Sequence, residues 1–143
     1  MSAITFLELR TSAVMGSIRV LNELLEVALR ALGTDPALQH DLALGVAELV
    51  ANVVEHECQA TDGEGGEVEI RLDTNPGELV LSVVSKGPPF DLDAALEKAA
   101  NHDPLEDLDG SGLGLPLLTA LFDLSHTYEP DRGNVITLRR KTD

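Results

Sequence analysis

Tryptophan is absent from these 143 residues, tyrosine occurs once, phenylalanine three times and cysteine once. So few aromatics leave no stacking platform for single-stranded nucleic acid. Ten Lys+Arg against 25 Asp+Glu, a net charge of -15, give no cationic surface for phosphate backbones or anionic lipid. The sequence therefore predicts no direct nucleic-acid partner and no membrane partner. Cys58 has no second cysteine to pair with, and the opening MSAITFLELR meets Glu8 and Arg10 before an apolar run of signal length develops. A reducing, cytoplasmic setting is expected. No stretch reads as the roughly 20 apolar residues a spanning helix requires. With no internal repeat and no low-complexity linker, the whole chain, 1–143, is expected to form a single domain. What is present suffices for one core: 43% of residues are apolar, and a chain of this size buries roughly two-thirds of its unfolded surface.

Periodicity supplies the elements. Ile4 to Arg10 reads as a short strand with Ile4, Phe6 and Glu8 on one face. Val14, Ile18, Leu21, Leu25, Ala28, Leu29 and Leu32 form a helical stripe that stops at Gly33. Asp35 before Pro36 is an N-cap followed by a first-turn proline, and Leu42, Val46, Leu49 and Val53 carry that second helix to about Glu57. Val68–Leu72 and Leu79–Val84 alternate with period two around Asn75-Pro76-Gly77, two antiparallel strands and a turn. A short helix to about Ala100, the polar loop NHDPLEDLDGSG, a helix from Leu113 to Phe122 and a closing hairpin, Leu124–Tyr128 with Val135–Arg139, follow. Helices on one face of a mixed, mostly antiparallel sheet make an α+β two-layer sandwich.

Three places can carry chemistry. Glu48 and Asn52, four apart in AELVANVVEH, leave the same helix face at the edge of the buried stripe. A carboxylate there can take a proton from a nucleophile, and an amide oxygen one turn on can bind a hard cation such as Mg²⁺. The plain alternative is a solvated polar pair on an acidic helix, and His56, a further turn along, reads as a helix-end histidine. GSGLGL, from Gly110 to Leu115, lets backbone N–H groups approach an anion just where a helix begins. It matches neither the dinucleotide nor the P-loop fingerprint, and a flexible loop explains it equally. SKGPPFD, Ser85 to Asp91, ends a strand in a rigid turn with Gly87 open to close approach and Phe90 packing inward.

In this order, E-x-x-x-N on a helix, a strand ending in G-P-x-F-D, a polar loop and G-x-G-L-G-L opening another helix resemble the GHKL ATPase fold. Within it the chain is similar to the anti-sigma-factor serine kinases of bacterial partner-switching systems, RsbW-like and SpoIIAB-like proteins, over nearly its whole length. The resemblance implies ATP and Mg²⁺ as cofactors. It makes Glu48 the general base for a substrate hydroxyl and Asn52 the Mg²⁺ ligand. Gly110, Gly112, Leu113 and Gly114 then hold the phosphates, and Asn101 to Asp109 form a lid over them. The family's first glycine box reads D-x-G, its carboxylate accepting from the adenine amino group. Here the triplet is Ser85-Lys86-Gly87, with a neutral oxygen in that place. Asn134 stands where many members of the superfamily have Thr, and the lid holds Asp103, Glu106, Asp107 and Asp109 with no Lys or Arg between Asn101 and Ser111.

The leading expectation is an anti-sigma regulator that transfers the γ-phosphoryl group of ATP to a serine of a STAS-type anti-sigma antagonist, with a sigma factor and a homodimer mate as further partners. Ile18, Leu21 and Leu25 offer an apolar stripe for such pairing, which core burial would explain equally. The alternative expectation is a degenerate binding module that sequesters a sigma factor or antagonist without kinase activity. A third, the catalytic domain of a two-component histidine kinase, is disfavoured because no helix with a phospho-accepting histidine precedes the domain.

Overall fold

The computed structural model describes residues 4–60, 66–100 and 114–142, and the side chains of all of these except 56–60 and 99. The elements run β1 (Ile4–Ser12), α1 (Gly16–Ala31), α2 (Pro36–Ala60), β2 (Glu67–Asn75), β3 (Glu78–Ser85), α3 (Leu92–Ala100), α4 (Gly114–Leu121), β4 (Asp123–Glu129) and β5 (Gly133–Lys141). The five strands form one sheet in the order β1-β2-β3-β5-β4. Every pairing in it is antiparallel, where the sequence pattern alone allows a mixed sheet.

Local chemistry sets the helix limits. Gly33, at φ +71°, takes the left-handed conformation that ends α1, while the N–H groups of Leu32, Gly33 and Thr34 bond back to Ala28, Arg30 and Leu29 carbonyls. Two residues later the Asp35 carboxylate accepts from the Ala37 N–H at 2.9 Å, capping α2 as the Asp-Pro pair predicts.

Register puts one row of each strand toward the helices. Val68, Ser85 and Asn134 lie side by side across β2, β3 and β5, as do Ile70, Val83 and Ile136, and Leu72, Leu81 and Leu138. Against these rows pack Leu21, Leu25 and Leu29 of α1, Leu42, Val46, Leu49 and Val50 of α2, and Leu118 of α4, all at most 1% exposed. The stripe read from the sequence is therefore the core on α2. On α1 it is the core through Leu21, Leu25 and Leu29, whereas Val14 and Leu32 at its ends are exposed. Leu21 and Leu25 are thus unavailable to a second copy.

In β1, Leu7 and Leu9 pack against the core while Ile4, Phe6 and Glu8 share exposure, as the sequence pattern has it, and a bulge lies between Thr5 and Leu7. The stretch Pro36–Glu55 is, by length and composition, apolar enough to cross a membrane, contrary to the expectation that no such run exists. Its apolar face is the one buried against the sheet through Leu42, Val46, Leu49, Val50 and Val53.

Candidate functional site

α2 carries Glu48 and Asn52 on the flank of its buried stripe, both half-buried, one turn apart. Opposite Asn52 the end of β3 and the start of β5 come together. Gly133, at φ +96°, permits this: a Cβ there would overlap the Ser85 carbonyl oxygen and lie 2.8 Å from Lys86 Cα. The close approach places Asn134, 5% exposed, beneath the segment that leaves β3.

Asn134 then fixes that segment. Its Oδ1 accepts from the Phe90 N–H at 2.8 Å, and its Nδ2 donates to the Pro88 carbonyl at 2.8 Å and to the Gly87 carbonyl at 3.4 Å. His126 Nε2 lies 2.9 Å from the same Oδ1. Because that oxygen can only accept, Nε2 carries the proton. The His126 ring also meets Phe90 edge to face, with centroids 6.0 Å apart and planes at 82°. Both acceptor positions and both donors of Asn134 are committed, and the turn 87–90 is held in one shape.

A cavity of about 120 Å³ lies between α2 and this turn, lined by Asn52, Val53, Ser85, Gly87, Pro88, Pro89, Phe90, Asn134 and Ile136. It is far smaller than the roughly 300–1,000 Å³ of a pocket for a whole drug-sized ligand, and is the size of a subsite for one ring system. Ser85 is 6% exposed and lines the cavity with its neighbour across it, Asn52. Asn52 Nδ2 is buried and unpartnered among the described residues. A buried polar atom left unsatisfied in a fold is costly, so Asn52 marks where a ligand would complete the structure.

Glu48 sits a turn away from the cavity, toward α4. Gly114, the first residue of α4, lies against it so closely that a Cβ would overlap Glu48 Cδ and Oε2. Burial, with repulsion from Glu55 second, pushes the Glu48 carboxyl above the ordinary carboxylate range. A base tuned upward from about 4.3 is better matched to work near neutral pH.

Of the residues expected from the sequence, Asn52, Ser85 and Gly87 converge on the cavity and Glu48 and Gly114 meet beside it. Gly110, Gly112, Leu113, the segment Asn101 to Asp109 and the His56 side chain lie outside the described residues. Lys86 is exposed. No group of three His, Cys, Asp or Glu that could hold a metal occurs among the described residues. The hub role of Asn134 and the part of His126 are not in the sequence reading. Glycine at 133 before a buried asparagine was the available signal, and it points only to a close approach, not to its target.

Comparison with known proteins places this geometry. The model of the histidine kinase-like ATPase domain matches residues 11–140. Serine-protein kinase RsbW of Halalkalibacterium halodurans is 34% identical over 103 residues, 70% of this chain and 60% of that protein. Serine-protein kinase RsbW of Bacillus pumilus is 34% identical over 86 residues, 58% of this chain and 53% of that protein. The match thus spans little more than half the length of these relatives. Among solved structures, a chain of the SiaB-SiaC complex from Pseudomonas aeruginosa shares the fold, with a TM-score of 0.63 at 21% identity over 96% of this chain and 90% of that one.

Proposed function

Because this chain belongs to the histidine kinase-like ATPase domain family, we propose that it is a cytoplasmic anti-sigma regulatory factor with ATP-dependent serine kinase activity toward a STAS-type antagonist. The observation that carries the reading is the pairing of Glu48, its carboxyl raised by burial, with Asn52 one turn along α2 in the cavity lining, whose Nδ2 is buried without a partner among the described residues. Similarity to RsbW, a serine-protein kinase by name, supports the same assignment.

The residues present fit a nucleotide with Mg²⁺. Mg²⁺ is commonly held by one or two protein oxygens and the substrate's own phosphates, which suits a site that offers the Asn52 side-chain oxygen and, among the described residues, no carboxylate cluster. When bound, the metal would supply charge neutralisation at the phosphoryl oxygens. The chain's own contributions are then distinct. Asn52 would hold the metal, and the turn fixed by Asn134 together with Ser85 and Gly87 would seat the base. Glu48 would accept the proton given up by the serine hydroxyl. Gly114, with Gly110, Gly112 and Leu113 before it, would turn backbone N–H groups and the positive end of α4 toward the phosphates.

The test is transfer of labelled γ-phosphate from ATP to the serine of a purified STAS-type antagonist domain. Glu48→Gln should lower transfer by about 100-fold or more. Transfer at the original rate in that variant would remove Glu48 from the role of base. A binding-only module is the competing reading, favoured by the neutral oxygen of Ser85; it requires antagonist or sigma-factor binding that ignores ATP.

Self-association belongs to the same proposal. Val20, Leu24 and Val27 stand exposed along α1, and the outer edge of β1 is paired by no described strand. Sedimentation should report a dimer that Leu24→Glu disperses; a monomer at all concentrations would exclude it.

A further inference from the structure

We propose that the cavity takes 6-oxopurine and 6-aminopurine nucleotides alike, so that the phosphoryl donor is not confined to ATP. This rests on the nucleotide-binding reading above and specifies which bases that site admits.

Three side chains in the lining can exchange hydrogen bonds: Asn52, Ser85 and Asn134. Asn134 has nothing left to offer, its oxygen held by Phe90 and His126 and its nitrogen by Gly87 and Pro88. With the Asn52 oxygen assigned to the metal, a base entering the cavity meets Ser85. Ser85 is 6% exposed, and its hydroxyl carries one donor and two acceptor sites, with a hydrogen that rotates to suit its neighbour.

No described lining residue is Asp, Glu, Lys or Arg, so none is committed to accepting only or to donating only. A 6-amino and a 6-oxo purine differ by exchange of a donor for an acceptor at C6, and of an acceptor for a donor at N1. A site rejects such an inversion strongly when the wrong base leaves a buried group unpaired. A carboxylate facing a carbonyl oxygen would do so. A hydroxyl turns its hydrogen and pairs with either. What remains of the lining, Val53, Pro88, Pro89, Phe90 and Ile136, reads the flat shape and apolar faces that both purines share.

Calorimetric titration of the protein with ATP and with ITP, which differ only at positions 1 and 6, isolates this exchange. The two dissociation constants should agree within about tenfold, and GTP then reads the added 2-amino group separately. Ser85→Asp should weaken ITP against ATP by a further factor on the order of 30, and Ser85→Ala, which removes volume and adds no charge, should weaken both to the same extent. An ATP preference of about 100-fold or more in the original protein, or a Ser85→Ala loss confined to ATP, would overturn the proposal while leaving the nucleotide site in place. Absence of binding by either nucleotide at millimolar concentration would overturn both.

Discussion

Gly114 leaves no room for a side chain beside Glu48: the first residue of α4 lies directly against the carboxyl that α2 presents. The neighbour is the far end of a flexible side chain, not backbone, so a methyl group added at Gly114 would displace the carboxylate without prising the helices apart.

Gly114→Ala should therefore separate function from stability. Alanine also removes the entropic cost of glycine at a helical position, roughly 0.5–1 kcal/mol, which opposes any packing loss. The melting temperature should stay within about 4 °C of the parent, while phosphoryl transfer falls by about 100-fold with Glu48 out of position. Thermal melts beside a transfer assay make the check; parallel loss of fold and activity would assign Gly114 a purely structural part.

The raised Glu48 carboxyl ties stability to pH with a definite sign. A group that holds its proton more tightly folded than unfolded stabilises the fold below the unfolded value of about 4.3, and that contribution is lost as pH rises through the folded value. Above it, ionised Glu48 in its partly buried place costs stability. Glu48→Gln should accordingly melt higher than the parent at pH 7, with the difference closing as pH falls below about 4. Glu55→Gln, which lifts the secondary repulsion, should shift the acid limb of the rate profile to lower pH. An unmoved limb would mean that burial alone sets the shift.

Asn134→Ala removes four hydrogen bonds at once, those to the Gly87 and Pro88 carbonyls, the Phe90 N–H and His126. A loss of about 2–4 kcal/mol in denaturant unfolding is expected. Nucleotide affinity should fall with it, because the turn 87–90 is then free to rearrange. If affinity survives intact, the turn holds its shape by proline stiffness alone.

Much of this architecture was legible from residue spacing. Asp35-Pro36 and the stripe Leu42, Val46, Leu49 and Val53 identify α2, and the same stripe locates Glu48 and Asn52 at its margin, since an i, i+4 pair beside a buried row must stand at its edge. The bulge at Phe6 was hidden because no glycine or proline marks it. The role of Asn134 was hidden for a different reason: its carbonyl and amide partners lie 44 to 47 residues earlier, and no local pattern encodes a contact made only when β5 docks on β3. The apolar length of α2 was likewise masked, with Asp41 and Glu48 interrupting a run whose average still passes for a membrane span.

The sheet order carries a consequence for how the molecule comes into being. β5, last in chain order of the described strands, fills the position between β3 and β4 and brings Asn134 with it. Until residue 141 has been added, β3 exposes one whole backbone edge and the ring-sized cavity lacks its floor. During synthesis β3 thus waits on β5 for its second partner, and closure joins residues 49 to 63 positions apart, a slow and late event with an aggregation-prone edge in the interval. Competence to bind and completion of the sheet are then a single step, so a nascent or truncated chain without β5 is silent before it is unstable.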